Sequence, residues 1–182
     1  MDFRELAAKR RSVRSYKKHS PIPRKHLEIC LQTARLSPSA CNSQPWKFIV
    51  IDDPSLLERV AKEVISGAHK MNLFAADASA FIAVVVENLK PAAWAGGKIM
   101  GTDFRLTDAG IAAAHLVLQA EDLGINTCIL GWFNEKKLKR ILGVPGSRRI
   151  PLLIAMGYEE KKNIREKDRK PFNETAGFNS YS

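Results

Sequence analysis

Hydrophobic positions along the chain repeat with two periods, and the places where one period gives way to the other mark the elements. Near the start, Phe3, Leu6 and Ala7 share one helical face, which predicts a short helix over residues 2–9. Leu27, Cys30, Leu31 and Ala34 recur at the spacing of one buried helical face and predict a second helix from Arg24 to Leu36. Ser37-Pro38-Ser39 ends it, because proline pushes the residue before it out of the helical region. Residues 10–23 between the two read as a loop, punctuated by Ser20-Pro21-Ile22-Pro23.

Trp46-Lys47-Phe48-Ile49-Val50-Ile51 reads as a strand, and Asp52-Asp53-Pro54 as the turn opening a helix to about Gly67. Phe81-Ile82-Ala83-Val84-Val85-Val86 is a continuous apolar run, as expected of a central strand buried on both faces. Residues 89–101 carry Pro91, Gly96, Gly97 and Gly101 and read as a mobile loop. Asp108 reads as the N-cap or first turn of a helix running to Leu123, with Gly124 stopping it. That helix is apolar nearly all round, through Ala109, Ile111, Ala112, Ala113, Leu116, Val117, Leu118 and Ala120. It is therefore expected at the centre of the core or in a subunit interface. Residues 127–130 predict a short strand, residues 134–142 a basic amphipathic helix, and residues 150–158 a last strand. This alternation of helices and strands predicts an α+β or α/β fold around a buried sheet.

A length of 182 residues with 45% hydrophobic and 26% charged residues fits one domain spanning 1–182 with a substantial core. The longest apolar runs fall far short of the roughly 20 residues needed to cross a bilayer, so no membrane partner is expected. The first eleven residues alternate charged and apolar side chains, unlike a signal peptide. Cys30, Cys41 and Cys128 are an odd, widely spaced set, which points to a reducing compartment and a cytoplasmic location.

Charge changes the picture more than composition does. The net charge is +10, and residues 1–26 carry nine basic and two acidic side chains. Residues 135–170 carry twelve basic and five acidic, whereas residues 27–134 carry eight basic and eleven acidic. Cations thus sit at the two ends of the chain. Three readings follow: a polyanion footprint on nucleic acid or membrane, a solvated basic surface, or two ends converging on one anionic ligand.

The familiar catalytic motifs are missing. His19, His26, His69 and His115 show no paired ligand spacing and no C-x-x-C pair exists, so a metal centre is not expected. His115, on the apolar helix, reads as a core or interface histidine. Gly96-Gly97-Lys98-Ile99 lacks the first glycine and the following Ser/Thr of a phosphate loop. Neither G-x-S-x-G nor a G-x-G-x-x-G after a strand occurs. If the chain is an enzyme, a bound cofactor carries the reaction.

One segment does carry chemistry. Arg10-Arg11-Ser12-Val13-Arg14-Ser15-Tyr16 places guanidinium forks and a hydroxyl in a loop after a helix, which suits a phosphate dianion. With Ser37-Pro38-Ser39-Ala40-Cys41-Asn42-Ser43-Gln44-Pro45-Trp46 and Lys167-Asp168-Arg169-Lys170-Pro171, it resembles the nitroreductase family of FMN-dependent oxidoreductases. The resemblance runs from about Phe3 to Pro171. It implies an α+β, three-layer sandwich in which helices flank a central, mostly antiparallel sheet, and two chains interlock as a homodimer with two FMN sites between them. The apolar helix matches the long central helix of that dimer.

The resemblance also assigns roles. Arg10, Arg11, Ser12 and Arg14 match the loop that holds the FMN phosphate and the pyrimidine edge of the ring. Lys167 and Arg169 match a C-terminal pair that reaches the phosphate, and Pro38, Ser39 and Asn42 a segment that reaches the flavin from the partner subunit. Leu130 and Gly131 match a strand end whose amides approach the flavin N5/O4 edge. Longer members carry an acidic residue where Leu130 stands, so only its main chain carries over. No side chain is expected to act as acid, base or nucleophile. Arg14 is the first candidate to stabilise the reduced ring near N1/O2. Lys70 ranks behind it, because members that supply a lysine from the helix before the second strand place it where this chain has Phe74, which is expected to pack in the core or line the pocket.

The implied reaction is ping-pong: NADH or NADPH gives hydride to the flavin and leaves, then a small electron-poor acceptor, such as a nitroaromatic or quinone, is reduced. Trp94 and Met100, in the glycine-rich stretch, are candidates to stack over that acceptor, with an exposed or interface-packed tryptophan as the other reading. Two other classes stay open: a flavin-fold enzyme with dehalogenase-like or flavin-consuming chemistry, and a non-enzymatic binder of nucleic acid or another polyanion.

Overall fold

The structure is a computed structural model that describes residues 2–65, 72–161 and 167–181. Four strands, β1 (Trp46–Ile51), β2 (Ala80–Val86), β3 (Asn126–Leu130) and β4 (Arg149–Gly157), form one antiparallel sheet in the order β1-β2-β4-β3. The β-branched run of β2 takes an inner position, pairing Phe81 with Ile51 on one side and with Ala155 on the other. Every residue of β2 is buried, as its uninterrupted apolar pattern requires. β3 forms an edge, with Leu130 opposite Leu153.

Alternation along β2 divides the core in two. Phe81, Ala83 and Val85 point to one face, where α3 (Pro54–Ile65) brings Val60, Ala61 and Val64 and α6 (Glu135–Leu142) brings Leu138. Ala80, Ile82, Val84 and Val86 point to the other, where α2 (Arg24–Arg35) brings Leu27, Cys30 and Ala34. On that second face α5 (Phe104–Asp122) adds Ala109, Ala113, Leu116, Val117 and Ala120. The fold is α+β, with helices on both faces of the sheet. The short α1 (Phe3–Lys9) packs on α5, and α7 (Phe172–Thr175) sits in an exposed C-terminal segment.

Two expectations need correction. Residues 89–101 are not a loop throughout: Pro91–Met100 form a helix, α4. Pro91 stands in its first turn, where a fixed φ and a missing N–H cost nothing, and Gly101 closes it in the left-handed conformation at φ 65°. The glycine content misleads because Gly97 serves packing: a Cβ there would stand 2.6 Å from the Thr102 carbonyl oxygen. Second, Asp108 does not open a helix. α5 starts at Phe104 and is capped by Asp103, whose carboxylate accepts the Arg105 N–H; Asp108 lies inside the helix, buried, accepting the Ala40 N–H at 3.1 Å.

Within one chain α5 is covered on one flank only. Gly110 and Ala114 are exposed, and Ile111, His115 and Leu118 are half-buried. His115 turns its Nδ1 to the Ile111 carbonyl at 3.0 Å. Among the described residues, no helix is long and apolar enough to cross a membrane.

Candidate functional site

The segment after α1 lies along the exposed edge of β3. Ser12 pairs with Thr127 in a parallel bridge, and the Val13 N–H donates to the Thr127 carbonyl at 2.9 Å. Farther along, Tyr16 pairs with Glu159, and the Lys17 N–H reaches the Tyr158 carbonyl at 2.8 Å. The two buried side chains of the motif, Val13 and Tyr16, fix this course. The Tyr16 hydroxyl donates to the Ala155 carbonyl at 3.1 Å, and burial holds its proton well above the ordinary tyrosine range. The polar residues Arg10, Ser12 and Arg14 are left at the surface or half-buried.

Around the inner end of this strip sits the buried thiol of Cys128. Burial pushes it up, while Arg14, a hydrogen bond from the Ser12 hydroxyl and Arg10 pull the other way. Arg10, Ser12 and Arg14 therefore surround one point on β3. Neither Arg10 nor Arg14 has a side-chain hydrogen bond or ion pair among the described residues. Arg11 differs: its guanidinium is paired with the Glu159 carboxylate, whose backbone N–H is held by Asn126 at 2.9 Å.

The C-terminal cations come to the same place. The Lys167 ammonium donates to the Ala7 carbonyl at 2.8 Å. Partial burial, and then the charges of Arg10 and Arg169, hold Lys167 below the ordinary lysine range; Glu121 acts in the opposite sense. Arg10, Lys167 and Arg169, from opposite ends of the chain, thus share one electrostatic neighbourhood. Such a gathering of like charges raises its own energy and favours an anion.

Leu130 and Gly131 stand at the other end of β3, about 10 and 13 Å along the chain from Thr127 at roughly 3.3 Å per residue. A Cβ at Gly131 would meet nothing within 4 Å among the described residues, so a side chain there would extend into the space beside the strand end. Next to it, Trp132 is exposed and its carbonyl accepts from the Asn72 amide at 2.9 Å. Phe74 is half-buried and packs against the core, with its ring centroid 6.2 Å from that of Tyr16. Lys70 lies outside the described residues.

Pro38, Ser39 and Asn42 belong to a tight turn elsewhere. Ser39 Oγ accepts the Gln44 N–H at 2.9 Å, and Asn42 Oδ1 accepts the Gln44 side-chain amide at 2.9 Å. Cys41, Asn42 and Gln44 take φ of 51°, 50° and 49°, a left-handed conformation costing each of order 1 kcal/mol. The turn is tied to Asp108 through Ala40, near the start of α5, whereas Glu121 and the Lys167 cluster lie at its end. Thirteen helical residues separate those ends by about 20 Å. One chain therefore does not unite this turn with the arginine loop.

Near the turn, α4 exposes Trp94 and Met100, with the Lys98 ammonium 5.9 Å from the Trp94 ring centroid. A hollow of about 860 Å³ runs alongside, lined by Trp94, Lys98 and Arg105 among others. Glu121, Lys9 and Cys128 were not identified as site residues from the sequence. Glu121 stands in the sequence only as one of three acidic residues of α5, and its place gains meaning only when α1 and the C-terminal segment are set beside it.

Comparison with known proteins finds relatives over most of the chain. The chain is 31% identical to an NADH dehydrogenase of Thermus thermophilus, with 87% of each chain covered. It is 28% identical to an oxygen-insensitive NADPH nitroreductase of Helicobacter acinonychis, with 93% of each covered. The solved structure of an FMN-dependent nitroreductase from Clostridium difficile superposes with a TM-score of 0.77 at 25% identity, covering 97% of this chain and 98% of that one. The nitroreductase family profile matches residues 7–158, and the chain belongs to that family.

Proposed function

We propose that the chain is an FMN-dependent oxidoreductase that uses NADH or NADPH to reduce small electron-poor acceptors such as nitroaromatics or quinones. The observation that carries this reading is the meeting of Arg10, Lys167 and Arg169 near the Ser12 hydroxyl and Arg14, whose guanidinium has no hydrogen bond or ion pair among the described residues. These donors suit a phosphate dianion, and the end of β3 at Gly131, where a Cβ would meet no described residue within 4 Å, suits a flat group beside it. FMN, when bound, supplies the hydride transfer.

The chain's own work is then to bind, orient and stabilise. Arg10, Ser12, Lys167 and Arg169 hold the phosphate. Arg14 is the cation for negative charge at the pyrimidine edge, and Tyr16, hydrogen-bonded to Ala155, locks the loop that presents it. Arg11 contributes through its pair with Glu159, which ties the loop to the end of β4. The main chain of Leu130-Gly131 would face the ring, where glycine leaves room.

Pro38, Ser39 and Asn42 complete the site from a second copy of the chain. Their separation from the arginine loop supports a homodimer, as do the exposed Trp94, Ile99, Met100, Phe172, Phe178 and Tyr181. Against a nucleic-acid surface stand the ion pairs of the basic helix and its neighbour: Lys137 with Glu63, and Lys139 and Arg149 with Glu135.

Purified protein is expected to be yellow and to release FMN on denaturation. Replacing both Arg10 and Arg14 by alanine should lower flavin content at least tenfold while changing the melting temperature of the cofactor-free protein little, since neither arginine has a side-chain hydrogen bond or ion pair to lose among the described residues. Full flavin occupancy in the double variant would refute the site. Anaerobic reduction by each nicotinamide, followed by a panel of nitro, quinone and halogenated aromatic acceptors, identifies the reaction; no reduction by either nicotinamide would refute it.

A further inference from the structure

Glu121 occupies the last turn of α5 and is 4% exposed. Its Oε1 lies 3.6 Å from the Lys9 ammonium, and its buried Oε2 has no hydrogen-bond partner among the described residues. A carboxylate oxygen removed from water without a donor is costly, and packing alone gives no reason to place one there. Its surroundings do. Lys9 faces it from α1, and Lys167 senses it from the C-terminal segment while bonded to the Ala7 carbonyl, two residues before Lys9. Arg10 and Arg169 also act on Lys167, Asp168 adjoins it in sequence, and Asp122 follows Glu121 on α5. Glu121 is thus a buried counter-charge at the back of a cluster of four cations.

Resting on the phosphate-site reading above, we propose that Glu121 is a positioning residue: it anchors Lys9 and Lys167 at the junction of α1 and α5, within reach of a phosphate, whether or not one is bound. Arg10 and Arg169 repel Lys167, and Glu121 opposes them. Without its charge, Lys167 loses its proton at lower pH, and its hold on the phosphate fails earlier as pH rises. Glu121 does not touch the flavin ring, so its effect is confined to phosphate-bearing ligands.

The test compares the wild type, Glu121→Gln, Lys167→Ala and the double variant, titrated with FMN and with riboflavin by fluorescence between pH 6 and 10. FMN affinity is expected to fall at alkaline pH in the wild type, and to begin falling at lower pH in Glu121→Gln. At a pH on the falling limb the variant should bind FMN roughly threefold more weakly than the wild type. Riboflavin affinity should stay level in all four, Glu121→Asp should restore the wild-type profile, and in the Lys167→Ala background Glu121→Gln should change FMN affinity less than twofold. Equal losses for riboflavin and FMN, or a shift that persists without Lys167, would overturn the proposal.

If neither flavin binds, the functional reading falls by itself, and Glu121 is tested on the cofactor-free protein with inorganic phosphate. Glu121→Gln should then lower the melting temperature, phosphate should restore it, and Lys167→Ala should abolish the difference. A deficit indifferent to phosphate and to Lys167 would reduce Glu121 to a packing residue and overturn the proposal.

Discussion

A methyl group added at Gly157 would stand 2.8 Å from Tyr16 Cδ1 and 3.2 Å from Cγ, and the ring cannot retreat while its hydroxyl is held by Ala155. Gly157→Ala should therefore cost about 1–3 kcal/mol of stability, measured by urea unfolding. At Gly131 a methyl meets no atom of the chain, so Gly131→Ala should leave stability within about 0.5 kcal/mol and weaken flavin binding instead. Equal stability losses at the two glycines would contradict this division. The contrast also shows which parts of the site were legible in the sequence. Arg10, Ser12 and Arg14 lie within five residues, so their joint chemistry is local and could be read directly. Tyr16 carries no mark that its ring seals against Gly157, and Glu121 none that α1 and the tail would enclose it. Those relations exist only after the chain has brought distant segments together.

At the level of elements, the strands and α2 were legible because their periodicity and their burial coincide. Phe81–Val86 reads as an inner strand and is one, extended by Ala80. α4 was not legible, because glycine pairs signal flexibility in composition and close packing in three dimensions, and the sequence does not say which applies. The two glycines of α4 separate the cases. Gly97 has the Thr102 carbonyl 2.6 Å and the Phe104 ring 3.4 Å from where a Cβ would lie, whereas Gly96 has nothing within 4 Å. Gly96→Ala should raise the melting temperature, by an amount matching the roughly 0.5–1 kcal/mol that alanine gains over glycine inside a helix. Gly97→Ala should lower it, because the helix can admit the methyl only by parting from the start of α5. Calorimetry on the two single variants checks both signs; if neither moved the melting temperature, a helix at this position would be in doubt.

For the whole molecule, α5 acts as a ruler. The strained turn at residues 39–44 is tied to its beginning, the cation cluster to its end, and about 20 Å of helix holds them apart. If both belong to one cofactor site, a second chain must bring its turn to the first chain's arginines. The flank of α5 left open by Gly110, Ile111, Ala114 and Leu118 is the surface on which two such helices would meet, since small residues let helix backbones approach closely. Ala114 is exposed within its own chain, so Ala114→Glu disturbs no internal contact, yet in the assembly it would set a carboxylate against an apolar stripe. Its solution mass should fall to that of one chain, and flavin content should fall with it although Arg10, Ser12, Arg14 and Lys167 are untouched. Analytical ultracentrifugation with absorbance at the flavin band measures mass and occupancy on the same sample. A variant that stays dimeric and fully loaded would place the interface elsewhere, and a monomer that keeps its flavin would show that one chain builds the site unaided.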